Sequence, residues 1–126
     1  MKYPRTPHLS FSPGGTNDDK RLSNENHFLN KKVIITEKLD GSNVSLDCNN
    51  VFARSHAGPP THESFDLLKS FHSTHRYSIQ DGLQLFGEWV YAKHSIHYTA
   101  LPEYLFLFAG RINDDDWISW EEVELW

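Results

Sequence analysis

Short β-favouring runs separated by polar turns constrain the fold of this chain more than any other feature of its sequence. Residues 33–37 are mostly β-branched, residues 44–48 alternate between apolar and polar side chains, and a third run occupies residues 51–55. The segment 40–43, with the sequence Asp-Gly-Ser-Asn, has the composition of a turn between the first two runs. This pattern predicts three consecutive strands that form an antiparallel meander.

The second half of the chain adds two stronger strands and two helical patterns. Residues 83–91 alternate in their early part, and residues 104–108 are almost wholly apolar, which is typical of a central strand. Between Glu63 and His72 the apolar side chains recur at helical spacing, and Thr61 or Ser64 is suited to cap that segment. These patterns together predict an α+β fold, with an antiparallel sheet and one or two short helices.

The ends of the chain differ from this middle region. Residues 1–30 contain prolines, glycines and a polar run without strand or helix periodicity, so we expect an irregular N-terminal arm followed by a domain over residues 31–126. Ser119 and Glu122 match a capping box at the start of a helix that has about two turns before the chain stops. We therefore expect a C-terminal end at which the domain is cut short.

Charge and apolar content exclude several classes of protein. The net charge is −5, divided into +1 for residues 1–63 and −6 for residues 64–126, so a broad basic face for nucleic acid is not expected and any polyanion must bind a local cluster. No apolar run approaches the roughly 18 residues that a membrane span needs, and the first residues lack the apolar segment of a secretory signal, so we expect neither membrane insertion nor export. Cys48 is the only cysteine, which excludes an intrachain disulfide. We expect a cytoplasmic protein.

A lysine at the end of the first β-favouring run is the most specific chemical signal. Lys38 stands where a strand runs into the Gly41 turn, and Asp40 is placed to orient its amine. A lysine normally titrates at about 10.4, so a nucleophilic role requires desolvation or neighbouring positive charge. Gly41 would let the backbone approach a ligand closely. The alternative is a surface Lys-Asp pair at the corner of a hairpin.

The eight histidines do not predict a metal site. Two pairs, His72 with His75 and His94 with His97, have an i, i+3 spacing, but neither pair has a cysteine or carboxylate at close ligand spacing. The acidic run 114–116 is typical of a solvated turn. No metal ligand is predicted from the residues alone.

Four segments in a fixed order resemble the motifs of the covalent nucleotidyltransferases, the superfamily of ATP-dependent ligases and capping guanylyltransferases. Residues 38–41 resemble motif I, residues 52–55 motif Ia, residues 86–89 motif III and residues 104–108 motif IIIa. The stretch 88–96 and the opening 2–8 resemble a branch of RNA ligases. The resemblance implies ATP and Mg²⁺ as cofactors and RNA 5′-phosphate and 3′-hydroxyl ends as substrates.

The same resemblance implies roles for individual residues. Lys38 would attack the α-phosphorus of ATP and form lysyl-AMP, and Arg54 would hold a phosphate through its planar guanidinium group. Glu88 would contact the ribose or help position the metal, which is consistent with the cost of burying an unpaired carboxylate in an apolar strand. Phe108 would stack on adenine.

Further residues would complete the nucleotide site. Asp40 and Gly41 belong to motif I, and Glu37 would meet the adenine edge. Lys93 and His94 are implied as contacts to phosphate or RNA. The alternatives are an exposed strand arginine at Arg54, a core phenylalanine at Phe108 and a polar strand end at Glu37.

Two motifs of the family are not found in this sequence. No Glu-Gly motif IV or Lys-x-Lys motif V follows the fourth segment, and Arg111 is the only basic residue after Phe108. We therefore expect a second chain or self-association to complete the domain and to cover an apolar surface at Phe106, Trp117, Trp120, Val123 and Trp126. The alternatives are a non-catalytic module that binds nucleotide or RNA ends, and an interaction protein that keeps only the sheet.

Overall fold

The computed structural model describes residues 1–16, 19–55, 58–91 and 103–126. They fall into two compact units, one of residues 4–37 and one of residues 1–3 with 38–126. The larger unit contains a five-stranded antiparallel sheet in the order β2-β1-β3-β4-β5. The strands are β1 Ser42–Leu46, β2 Val51–Ala53, β3 Leu83–Trp89, β4 Leu105–Ile112 and β5 Asp116–Trp117. The predicted α+β fold is confirmed.

Two short helices accompany the sheet. Helix α1 covers Asp66–His75 and follows a 3₁₀ turn at Glu63–Phe65, where the His62 ring, rather than the predicted Thr61 or Ser64, accepts a hydrogen bond from the Ser64 amide. Helix α2 covers Trp120–Val123, with the predicted capping box in place. None of the helices in the described part of the chain is long and apolar enough to cross a membrane.

The core lies on the face of the sheet that α1 covers. Because side chains alternate along a strand, every second residue of β1 and β3 points to this face. Leu68 of α1 is fully buried against them, and the Trp89 indole N–H donates to the Ser64 carbonyl at 2.7 Å. The buried members of this core are Val44, Leu46, Val51, Leu68, Ile79, Leu83, Leu85 and Trp89.

The first three residues of the chain pack on part of the opposite face of the sheet. The Gln84 side-chain amide donates to the carbonyl of Met1 at 2.9 Å and to the Ser45 hydroxyl at 3.2 Å. The ring of Tyr3 lies 5.3 Å from the ring of Phe86, which is fully buried. Residues 1–3 therefore pack against a second, smaller group of apolar side chains on this face.

The predicted strand at residues 33–37 is wrong. The structure has no strand or helix between residues 32 and 40, and Ile35 is 90% exposed. A β-branched run becomes a strand only when neighbouring strands supply hydrogen-bond partners and cover for its side chains. The described residues supply no strand partner to this segment, and its aliphatic side chains are 46–90% exposed, so its local preference is not realised.

Two predicted apolar surfaces also differ from expectation. The helical stripe at residues 63–72 buries Leu68 and His72, whereas Phe71 is 45% exposed. The His72 ring donates to the Asp47 carbonyl at 2.7 Å, which satisfies this buried polar group. Of the five residues expected to form an apolar surface near the C-terminus, Val123 is instead buried, Phe106 and Trp120 are half-buried, and Trp117 and Trp126 are exposed.

The unit of residues 4–37 is organised around one arginine. The Arg21 guanidinium donates to the backbone carbonyls of Leu9, Ser10, Ser12 and Gly14 at 2.8–3.3 Å. The backbone N–H of His8 donates to the carbonyl of Lys20, and the backbone N–H of Leu22 donates to the carbonyl of His8. These interactions hold an irregular segment in a compact form, and the residues of it that the structure describes contain no helix.

Candidate functional site

The antiparallel topology gathers three of the predicted site segments at one end of the sheet. Lys38 and Gly41 precede β1, Arg54 follows β2, and Glu88 is the penultimate residue of β3. The register confirms this alignment, because Ser42 pairs with Trp89 and the end of β2 pairs with the first half of β1. Motifs that lie up to 50 residues apart in the sequence therefore lie at the same end of the sheet.

A hydrogen bond joins the first and third of these segments. The backbone N–H of Gly41 donates to the carboxylate of Glu88 at 3.0 Å, and Glu88 is half-buried beside its strand partner Asn43. A carboxylate that accepts a backbone N–H forms a charge-assisted bond, which is stronger than a neutral one. This contact fixes the start of β1 relative to the end of β3.

The Glu88 contact yields a prediction for stability. Glu88→Ala would leave the Gly41 amide without this acceptor, and hydrogen bonds to charged groups contribute about 1.5–3 kcal/mol to the free energy of unfolding. Glu88→Gln keeps an acceptor oxygen, so its cost should be less than half of that. Urea unfolding of both variants measures the difference. Equal losses in the free energy of unfolding would show that an acceptor oxygen at residue 88 does not contribute to stability.

Gly41 has a packing role that the sequence does not reveal. A side chain at this position would collide with the carbonyl of Trp89 and with the Val90 side chain. The absence of a side chain is therefore required by the close approach of β3. This requirement is independent of any ligand.

The two basic residues of the site differ from Glu88 in their surroundings. Lys38 and Arg54 are exposed, whereas Glu88 is half-buried. Asp40 is also half-buried. Exposed cations are suited to binding phosphate, because their charge and hydrogen-bond donors are accessible. The desolvation that a nucleophilic lysine requires is not present around Lys38 in this structure.

Phe108 lies on β4 at an irregularity of the sheet. The register between β3 and β4 shifts at this point, because Phe86 pairs with Ala109 and Gly87 pairs with Leu107, which leaves Phe108 without a direct partner. Its ring lies 4.9 Å from the ring of Tyr3 in an edge-to-face arrangement. Burial raises the pKa of the Tyr3 hydroxyl. Phe108 is therefore part of an aromatic cluster rather than a fully open platform.

This packing sets the expected effect of Phe108→Ala. Full burial of a phenylalanine makes its truncation cost about 3–5 kcal/mol, and a half-buried ring should cost roughly half as much. We expect a loss of about 2 kcal/mol in the free energy of unfolding, measured by chemical denaturation. Phe108→Leu is the control, and a loss below about 0.5 kcal/mol for Phe108→Ala would contradict the cluster.

The other three predicted residues are not among those that the structure describes at this end of the sheet. Glu37 is exposed and belongs to the unit of residues 4–37. Lys93 and His94 lie outside the described residues. Sequence reasoning missed the contact of Tyr3 with Phe108, although an aromatic residue in an otherwise polar arm was the available signal. The contact spans more than 100 residues, and no local pattern encodes such a distance.

A cavity of about 480 Å³ lies at the opposite end of the sheet. It is lined by the turn after β1, the start of β3 and the turn after β4, including Asp47, Asp81 and Asp114. Cys48 also lines it, in a bend rather than the predicted strand, and burial together with the Asp81 carboxylate raises the pKa of its thiol. No group of three or more metal-ligating side chains occurs among the described residues.

Comparisons with known proteins support one family. The family model described as RNA ligase matches residues 31–126, which is about three quarters of the chain. No curated protein and no solved structure gives a match. The matched range contains all four of the segments described above.

Proposed function

The chain belongs to the RNA ligase family, and on that premise we propose that it takes up AMP from ATP on Lys38 for joining RNA 5′-phosphate and 3′-hydroxyl ends. The observation that carries this proposal is the bond between the Gly41 amide and the Glu88 carboxylate. It links the turn that follows Lys38 to the strand that carries the proposed ribose contact. This adjacency supports the proposal that the two motifs act on one nucleotide.

In the proposed reaction, the Lys38 amine attacks the α-phosphorus of ATP. A nitrogen–phosphorus bond forms, the bond from that phosphorus to the bridging oxygen of pyrophosphate breaks, and the amine proton passes to solvent. Asp40 would orient the amine, and Arg54 would hold a phosphate through paired N–H donors. Because Lys38 is exposed in this structure, the bound nucleotide itself would have to exclude water from the amine.

The nucleoside would be held by the residues on and beside the sheet. Glu88 would contact the ribose hydroxyls, with Gly41 fixing the orientation of its carboxylate, and Phe108 would stack on the adenine. Tyr3 already contacts the Phe108 ring, so adenine would bind beside this pair or displace Tyr3. Glu37 is proposed for the adenine edge, and Lys93 and His94 for phosphate or RNA.

Members of the RNA ligase family use ATP and a divalent metal in general, and we extend both to this chain. Mg²⁺ typically binds through one or two carboxylates together with substrate phosphates, which suits a site without a complete protein ligand set. Among the described residues, the carboxylates of Asp40 and Glu88 at this end of the sheet would hold the ion. Bound there, it would neutralise phosphate charge.

The groups of motifs IV and V would come from a further segment, a second chain or another copy of this chain. The lysines of motif V would contact the α-phosphate, and no residue after Phe108 in this sequence can replace them. The second candidate function is a module that binds nucleotide or RNA ends without catalysis. The exposure of Lys38, which lacks the desolvation that a nucleophilic amine requires, favours this alternative.

Covalent labelling tests the proposal. The chain is incubated with ATP carrying a label on the α-phosphate and with Mg²⁺, and the adduct is mapped by mass spectrometry. We expect an acid-labile AMP adduct on Lys38. Label on a different lysine would refute the assignment. Nucleotide binding without any label, measured by calorimetry, would favour the non-catalytic module.

A further inference from the structure

Helix α1 and the turn after it carry an exposed aromatic and basic surface that the proposed reaction does not use. We define the α1 surface as Leu67, Phe71, His75, Arg76 and Tyr77. Tyr77 is 87% exposed, and Leu67 and Phe71 are about half exposed. Rings of this size usually lie in the core, so several exposed together indicate a binding surface.

The planar groups of the α1 surface are held in defined pairs. The rings of Phe71 and His75 are stacked, with centroids 4.2 Å apart and an interplanar angle of 23°. The His75 ring also donates to the Phe71 carbonyl at 2.9 Å, which fixes its orientation. The Arg76 guanidinium lies 5.5 Å from the centroid of the Tyr77 ring. Flat groups of this kind offer platforms on which nucleobases stack.

The charge of this segment favours a polyanion. Residues 67–80 contain Lys69, Arg76 and two histidines, and the nearest acidic residues in the sequence are Asp66 and Asp81 on either side, in a chain whose net charge is −5. Lys69 lies within 4.0 Å of Asp66, which leaves Arg76 as the main cation of the surface. The Nε atom of Arg76 is buried without a hydrogen-bond partner among the described residues.

The α1 surface lies away from the candidate site. Leu68 of α1 packs on the sheet face that Leu85 and Trp89 share, and the alternation of β3 directs Glu88 to the other face. A nucleotide on α1 is therefore separated by the sheet from one at Glu88. The surface would hold nucleotides farther along a strand rather than the reacting end.

We propose that the α1 surface binds single-stranded RNA by stacking of bases on Tyr77 and on the Phe71–His75 pair, with Arg76 contacting the phosphate backbone. The choice of RNA rests on the proposed function. Stacking with few cations gives little sequence preference and a shallow dependence on salt. Unpaired bases are required, because a duplex does not expose the faces of its bases.

Fluorescence anisotropy with a labelled oligouridine tests this inference. Tyr77→Ala should weaken binding at least about fivefold, which is the lower limit for the loss of one base–aromatic stack. Tyr77→Phe keeps the ring and should bind nearly as the unmodified chain does. Arg76→Gln should lower the slope of log affinity against log salt by about 0.7, the value for one phosphate contact on a single strand.

Two matched variants separate this surface from other effects. Phe11→Ala removes a ring that is 72% exposed in the other unit and should leave the affinity unchanged. Lys32→Ala removes an exposed lysine of the other unit and should also bind RNA normally, because that residue belongs neither to the α1 surface nor to the proposed site. Cross-linking of oligouridine that contains 4-thiouridine should label Tyr77 or Phe71.

Unchanged affinity of Tyr77→Ala, or cross-links confined to other segments, would overturn the inference. So would concentration-dependent self-association that Tyr77→Ala abolishes in the absence of RNA, since the surface would then bind a second copy. Adenylylation of Lys38 with no RNA contact at α1 would refute this inference alone. RNA contact at α1 without adenylylation would refute only the proposed reaction.

Discussion

Lys38→Ala is expected to reduce covalent AMP labelling to background, a loss of at least about a thousandfold, because no other group in the proposed site supplies the attacking nitrogen. Lys38 is exposed and makes little contribution to packing. The free energy of unfolding, measured by thermal denaturation, should therefore change by less than about 0.5 kcal/mol. Labelling and melting are measured on the same preparation. The loss of labelling is then attributable to chemistry rather than to unfolding.

Two further variants sharpen the Lys38 experiment. Lys38→Arg keeps the positive charge but not a nucleophilic amine, so it should bind nucleotide and remain unlabelled. Lys32→Ala removes another exposed lysine near the start of the matched range and should label normally. Residual labelling of Lys38→Ala above a tenth of the original would mean that the proposed nucleophile is incorrect.

Phe86→Ala is expected to lower the free energy of unfolding by about 3–5 kcal/mol, the largest effect on stability that we expect from a single truncation in this chain. Phe86 is fully buried at the centre of β3, on the face opposite α1. Its ring lies 5.3 Å from Tyr3 and 5.7 Å from Trp117. Truncation would therefore leave a cavity between the sheet and the residues that cover it.

The melting temperature of Phe86→Ala should fall by roughly 10–20 °C, since each kcal/mol corresponds to several degrees in a domain of this size. Phe86→Leu retains most of the volume and should cost about 1–2 kcal/mol. Phe11→Ala, which truncates an exposed ring, should cost less than about 0.5 kcal/mol. A similar melting temperature for Phe86→Ala and Phe11→Ala would contradict a packed layer beneath Tyr3.

Local patterns allowed much of the sheet and both helices to be predicted. The alternation of residues 44–48 and the apolar character of residues 83–91 correspond to β1 and β3, and the capping box at Ser119 marks the start of α2. In each case the signal is contained within a few neighbouring residues. The ordered motifs likewise led to the family, because their identity depends on short segments rather than on contacts.

Features that depend on distant partners were not predicted correctly. The run 33–37 has strand chemistry but no neighbouring strand in the described structure, and Phe71 follows the helical period but is placed outside the core. The contact of Tyr3 with Phe108 joins the two halves of the chain. Such outcomes depend on which surfaces the complete fold covers, and this information is not contained in a local window.

The strand order has a consequence for the rate at which the site assembles. The β1–β2 hairpin is local, whereas β1 and β3 are separated by residues 47–82 and pair only after that segment has closed. Pairing across such a separation slows folding relative to local contacts. The Gly41–Glu88 hydrogen bond connects the residue before β1 to β3 and therefore also depends on this long-range pairing. Hydrogen exchange at the Gly41 amide should therefore follow opening of the whole sheet rather than fraying of its edge.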